Sequence, residues 1–384
     1  MTEADIRIFI SAAEPSGDLY AAQLIREVRR RRPAVEFLGI AGPAMRSAGC
    51  RSVGDMTTHS AMLLGVLGSA KRAWNVLNAA ENEFSHQHFD ALVVIDSPML
   101  HLPLARRARE HGISVFYYVA PQLWAWGESR VGKLRARVDQ MAVILPFEED
   151  YFRQRGLDAT YVGHPLFDAL ATRPADPAEV DRIRAQGAPR VAILPGSRKH
   201  VIREVLPGQL AVAGAVCRAF PDTAIGVSVA GTAAEPLVRA IADSCGLPVK
   251  LYRERNAELL TAADLTLVAS GTATLEVAYY GSPMIVMYNS SRLLYHLMGR
   301  WVVRLKQFSL VNILAGTELV PEFMPYYRST APIAAKAIEL LSKPDRRSDM
   351  RRKLAELLEP IRKPGATRRT ADLLLAMLNT PTGR

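Results

Sequence analysis

"ALVVIDSPMLHLPLARRAREHGISVFYYVA" (91–120) decides how the rest of the chain is read. Residues 91–96 and 114–120 are unbroken apolar runs, and the stretch 102–111 between them is amphipathic. A strand with one wet face alternates apolar and polar residues. A run without alternation is buried on both faces, as in a parallel sheet covered by helices. Strand, helix and strand in this order make a right-handed βαβ unit.

The same grammar extends in both directions. Further strands are expected at 6–12, 35–41, 140–146 and 159–163, and a helix at 17–31. A polar, proline-containing stretch with one short helix of its own, "TRPADPAEVDRIRAQGAP" (172–189), interrupts the alternation. It restarts with runs at 190–196, 223–231, 248–252, 265–270 and 283–288. The expected class is α/β, with two doubly wound Rossmann-like domains in tandem. The first spans 1–168, a linker 169–189 and the second 190–345. Helices over 346–384 are expected to pack back on the first domain. Ligands of such sheets bind beyond the carboxyl ends of the strands.

The bulk properties agree. A chain of 384 residues with 49% apolar and 22% charged residues can bury two cores. Its 48 Lys and Arg against 38 Asp and Glu leave a net charge of +10, which favours an anionic partner. The basic stretch "REVRRRRP" (26–33) lacks interleaved aromatic residues, which argues against nucleic acid. Three cysteines without CxxC spacing read as thiols in a reducing compartment. The N-terminus does not resemble a signal peptide, and no 18-residue window is uninterruptedly apolar, so a cytoplasmic location is expected.

Several turns at strand ends carry candidate chemistry. In "ISAAEPSGDLYAA" (10–22), Ser16, Gly17 and Asp18 can cap a helix or hold a ligand at its positive end. Asp96, at the end of a buried strand, can act as a general base or cap the next helix. "ILPGSRKH" (193–200) sets Gly196, Ser197 and Arg198 at a strand-to-helix turn suited to phosphate. In "LVASGTATLEVAYYGSPMIV" (267–286), Ser270, Gly271 and Thr272 turn the chain and Glu276 enters the next helix, where it can bind ribose hydroxyls or favour the helix dipole. No HExxH, Asp-x-Asp or GxSxG pattern is present, and no metal or cofactor is expected. After the strand at 114–120 comes a loop with two tryptophans, Trp124 and Trp126, preceded by Gln122. "SRLLYHLMGRWVVRLKQF" (291–308) mixes apolar and basic residues and reads as a core helix or a membrane-surface helix.

Together these stretches resemble lipid-A-disaccharide synthase, a GT-B glycosyltransferase family. The resemblance rests on "AEPSGD" (13–18), "GIAGPAM" (39–45), "YYVAPQLWAWGESRVGKLR" (117–135), "LPFEEDYF" (145–152), "VGHPLFD" (162–168), "ILPGSR" (193–198), "ASGTATLE" (269–276) and "SLVNILAG" (309–316). It implies a metal-independent, inverting condensation of UDP-2,3-diacylglucosamine with 2,3-diacylglucosamine 1-phosphate (lipid X), giving the lipid A disaccharide 1-phosphate and UDP. It also implies catalytic roles for Asp96 and Arg198. Gly196, Ser197, Ser270, Gly271, Thr272, Glu276 and Asn312 would line the UDP-sugar side with Arg198. Ser16, Gly17, Asp18, Gln122, Trp124 and Trp126 would line the acceptor side. Peripheral contact with an anionic membrane at the inner face of the cytoplasmic membrane, and a possible homo-oligomer, follow as expectations. Met99, His101, Gly65 and Val201 depart from the residues common in the family. The alternative is another GT-B enzyme on a UDP-N-acetylglucosamine-type donor, an epimerase or a peptidoglycan-type transferase.

Overall fold

The structure, a computed structural model, describes residues 6–57, 65–125, 127–289 and 307–379. The chain folds as two units, Met1–Asp168 with Lys363–Arg384, and Ala169–Arg362.

Among the described residues of the first unit, seven strands form one parallel sheet: β1 (Arg7–Ala12), β2 (Glu36–Ile40), β3 (Arg51–Gly54), β4 (Ala91–Ile95), β5 (Ser114–Tyr118), β6 (Gln140–Val143) and β7 (Ala159–Tyr161). Their order is β3-β2-β1-β4-β5-β6-β7. The unbroken apolar runs have the physical basis expected of them. Phe9, Leu92, Val94, Val115 and Tyr117 point into a core that includes Phe84 and Phe89. Their neighbours Ile8, Ile10, Val93, Ile95, Phe116 and Tyr118 enter a second core on the other face, with Leu24 and Ile25. Register pairs Phe9 with Leu92 and Val93 with Phe116, so each layer is continuous across the central strands.

The second unit repeats the scheme. Among its described residues are β8 (Arg190–Leu194), β9 (Ala224–Val229), β10 (Val249–Arg253), β11 (Leu265–Ala269), β12 (Met284–Met287) and β13 (Glu322–Phe323). They are ordered β10-β9-β8-β11-β12-β13, all pairs parallel.

Two expectations about boundaries change. The stretch 169–189, read as a linker, falls in the second unit and carries a helix at Pro177–Arg184. Asp176 caps that helix by accepting the Ala178 N–H at 3.0 Å, and Val180 and Ile183 are buried. The C-terminal helices also part company. Pro344–Leu358 packs within the second unit, where its Arg351 reaches the carbonyls of Ala263 and Gly281. Ala366–Asn379 packs on the first unit through Ala371, Leu374 and Leu375. Asp168 holds its start by accepting N–H groups of Gly365, Ala366 and Thr367.

Candidate active site

In each sheet the chain leaves a central pair of strands in opposite directions, and such a switch point opens a crevice at the carboxyl ends. In the first unit the pair is β1 and β4. In the second it is β8 and β11.

Asp96 follows β4 directly. It and Ser97 hold φ values of 55° and 43°, in the left-handed region that L residues occupy at a cost of about 1–3 kcal/mol each. The cost is met by a buried network that converges on one carbonyl. Asp96 O accepts the Tyr117 hydroxyl and His101 Nδ1, each at 2.6 Å. The other imidazole nitrogen lies 3.0 Å from Ser11 Oγ. A carbonyl can only accept, so Nδ1 carries the proton and Nε2 accepts from Ser11. His101 is wholly buried, and burial lowers its pKa to about 4 against the opposing bond to Asp96, so the ring is neutral. Three elements, β1, β5 and the helix Pro98–Glu110, therefore set the backbone that carries the Asp96 carboxylate. His101, a departure from the family's common residue, is part of this hold. Met99, in the first turn of the same helix, is 74% exposed.

The residues 16–18 do not cap a helix as expected. Pro15 starts the helix Pro15–Arg31, which puts Ser16, Gly17 and Asp18 inside its first turn. Asp18 is buried and instead accepts the N–H groups of Ala44 (2.9 Å) and Met45 (3.0 Å), capping the neighbouring helix Pro43–Ser47. A Cβ on Gly42 would collide with the Asp18 carboxylate, so glycine is needed there for the carboxylate to approach. "AEPSGD" and "GIAGPAM" are thus two halves of one structural contact.

Trp124 is half-buried and fastened on its own unit. Its indole N–H donates to Glu148 Oε1 at 3.0 Å, and its ring meets Phe147 edge-on at 5.0 Å. Leu123 and Ala125 are buried beside it, while Gln122 is exposed. Trp126 and residues 290–306 lie outside the described residues.

In the second unit, Pro195–Arg198 follows β8 and Ser270–Thr272 follows β11. Gly196 has φ 94°, and a Cβ there would lie 3.3 Å from Val201 and 3.7 Å from Ala269, so the two turns abut. Val201 is buried beneath this turn, which accounts for an apolar residue at that position. Ser197 and Arg198 are exposed at the start of the helix Lys199–Ala219. Gly271 is exposed, Ser270 and Thr272 half-buried, and the helix Ala273–Tyr279 brings Glu276 below them.

Glu276 Oε1 accepts from Asn256 Nδ2 at 3.1 Å, and Asn256 Oδ1 accepts from Ser228 Oγ at 2.5 Å. Burial raises the Glu276 pKa, opposed by the Asn256 bond and by the charge of Arg173. Asn312 is fully buried and has no capacity left for a ligand. Its amide donates to Val320 O and Glu322 Oε2 and accepts from the N–H groups of Leu319 and Val320. Its bonds hold the 319–322 turn. Sequence reasoning missed Tyr117, Glu148, Ser228 and Asn256. Tyr117 opens the quoted "YYVAPQLWAWGESRVGKLR" and Glu148 lies in "LPFEEDYF", while Ser228 and Asn256 lie in no motif singled out.

Among the described residues no group of three or more His, Cys, Asp or Glu could hold a metal ion, and no helix is long and apolar enough to cross a membrane.

A family model described as lipid-A-disaccharide synthetase matches residues 8–373. The lipid-A-disaccharide synthase of Syntrophus aciditrophicus is 37% identical over 380 residues, covering 97% of each chain. That of Nitrosococcus oceani is 35% identical over 373 residues, covering 97% of this chain and 96% of its own. Among solved structures, a putative UDP-N-acetylglucosamine 2-epimerase from Listeria monocytogenes superposes with a TM-score of 0.64 at 12% identity, covering 97% and 95% of the two chains. The S. aureus MnaA–UDP co-structure gives 0.66 at 12% identity, with 99% of each covered. These two show the same fold, the GT-B arrangement of paired parallel-sheet α/β units.

Proposed function

The chain belongs to the lipid-A-disaccharide synthetase family and is a lipid A glycosyltransferase, and we propose that it joins UDP-2,3-diacylglucosamine to 2,3-diacylglucosamine 1-phosphate with inversion, releasing UDP. The observation that carries this reading is the Asp96 turn. A strained carboxylate-bearing turn at a switch point, held by a buried neutral imidazole, is what a fixed general base requires.

In this mechanism the acceptor binds on the first unit, and Asp96 takes the proton of its attacking hydroxyl. The oxygen adds to the anomeric carbon as the bond to UDP breaks, through an oxocarbenium-like transition state. A single displacement inverts the centre. The departing diphosphate gathers negative charge. Arg198 and the N-terminus of the helix Lys199–Ala219 supply fixed positive potential for it. Glu276, already oriented by Asn256, accepts the ribose hydroxyls. Gly196, Ser197, Ser270, Gly271 and Thr272 let backbone approach the nucleotide. Ser16, Gln122, Trp124 and Trp126 serve the acceptor, while Gly17 and Asp18 shape the backbone there.

Both substrates carry acyl chains, so the enzyme must meet them at a bilayer. A net charge of +10 supports peripheral docking on an anionic leaflet, and the basic, aromatic 291–308 stretch is the segment suited to it.

UDP release tests the reading. It should require both acylated sugars together and should not occur with soluble UDP-N-acetylglucosamine alone. Turnover of the soluble donor without lipid X would favour the epimerase alternative.

A further inference from the structure

Glu148 is 1% exposed, in the first turn of the helix Pro146–Arg153. Its two oxygens serve different segments. Oε2 accepts the N–H groups of Ile144 (3.1 Å) and Leu145 (3.0 Å), closing the turn after β6 as a capping box does. Oε1 accepts the indole N–H of Trp124, which lies in the loop after β5. The cap alone would need only the first oxygen. The second ties the aromatic loop to the neighbouring strand–helix turn, and Phe147, next to Glu148 in sequence, presses on the same ring.

We propose that Glu148 is a positioning residue for acceptor binding: its carboxylate fixes the Trp124 indole and so holds the loop after β5 in the shape that receives the acylated acceptor. This rests on the reading of that loop as the acceptor side. Without the Oε1 bond the loop would keep its buried Leu123 and Ala125 but lose the direction of its ring.

The surroundings make the hold responsive to pH. Burial raises the Glu148 pKa to about 7 against the bonds from Leu145, Trp124 and Ile144, and the charge of Asp96 adds to the rise. The charged and titratable groups that face it are Asp96, after β4, and Tyr161, on β7. Tyr161 in turn feels Arg369 of the last helix. The ionised form is the stronger acceptor of three N–H groups. It predominates above about pH 7, so the grip on Trp124 weakens as pH falls through that value.

The test uses the full chain with Trp124→Phe, Glu148→Gln and the double variant. Trp124→Phe keeps a ring and leaves the cap untouched, so it should fold even if Glu148→Gln does not. Each single variant should raise the KM for lipid X about tenfold or more, the loss expected of a hydrogen bond to a charged group. The kcat and the KM for the UDP-sugar should stay within about twofold. The double variant should be no worse than either single variant, since both remove one bond. In 15N-indole spectra the Trp124 N–H resonance, assigned by its loss in Trp124→Phe, should titrate near pH 7 and stop doing so in Glu148→Gln. An unchanged KM for lipid X in Trp124→Phe, additive losses in the double variant, or an indole signal blind to pH would each overturn the proposal. If the wild type does not transfer to lipid X at all, the proposed function fails instead, and the indole titration still reports on the clamp.

Discussion

Replacing His101 with alanine should damage the first unit and the reaction together. The ring is wholly buried and makes two hydrogen bonds, one to Asp96 O and one with Ser11 Oγ. Its loss leaves the fully buried Ser11 hydroxyl without its imidazole partner, at about 1–3 kcal/mol. It also opens a cavity between β1 and the helix Pro98–Glu110. With the truncation of a buried ring, the total should be about 3–5 kcal/mol. Of the two side chains that bond Asp96 O, only Tyr117 then remains on a turn whose two left-handed residues store about 1–3 kcal/mol each. Relaxation of that turn displaces the carboxylate, and a shift on the order of 1 Å in a reacting group costs about 10²-fold in rate. Equilibrium urea unfolding reads the stability. Turnover measured where the variant is still folded reads the chemistry. His101→Asn keeps a donor of similar reach and should recover about tenfold or more of the rate lost in His101→Ala. A folded His101→Ala enzyme with kcat/KM within about threefold of wild type would refute the idea that this network positions Asp96.

Other outcomes follow from the same structure. Glu276→Ala should weaken UDP binding about tenfold or more by isothermal titration while leaving lipid X affinity unchanged, because Glu276 lies under the Ser270–Thr272 turn of the second unit. Turnover should persist in excess EDTA, since Arg198 and a helix terminus are assigned the leaving-group charge; loss on chelation with recovery on magnesium would contradict that assignment. Stability should fall on acidification from about pH 6.5 to 4.5. His101 and His164 are held neutral, with pKa values lowered from 6.5 to about 4, so the unfolded chain takes up their protons first. Glu148, raised from 4.5 to about 7, works in the opposite sense, losing stability as pH rises through that window. Two groups outweigh one of similar shift, leaving a net loss of about 2 kcal/mol on acidification. Urea unfolding at pH 6.5 and 4.5 measures it, and a chain more stable at the lower pH would contradict the assignment.

The fold was legible where burial on both faces forces an apolar run, as at 91–95 and 114–118. It was illegible where an edge strand has little to bury. β3 is exposed or half-exposed throughout, and β13 has only two residues. The polar stretch 172–189 read as a linker around one short helix; Asp176 followed by Pro177 starts that helix, and burial of Val180 and Ile183 makes it part of the second unit. The candidate site divides in the same way. Asp96, Arg198 and Glu276 stand at strand-to-helix turns, which local pattern reveals. Asp18 has the same place in the helix after β1, but its use is not legible there, nor is that of Asn312. Their partners are 26–27 residues away for Asp18 and 7–10 for Asn312, and only the folded backbone shows which groups these side chains hold. Glu148 hid for the same reason: nothing local to "LPFEEDYF" says that one oxygen reaches Trp124, 24 residues earlier.

Mass spectrometry of the lipids after incubation with UDP-2,3-diacylglucosamine and lipid X tests the central claim most directly, run on wild type and on Asp96→Asn. Wild type should yield the tetraacylated disaccharide 1-phosphate with one UDP released per disaccharide. Asp96→Asn should keep its fold and its UDP affinity while losing about 10²–10⁴-fold in turnover. Absence of disaccharide from wild type would contradict the proposed function, and near-normal yield from Asp96→Asn would remove Asp96 as the base.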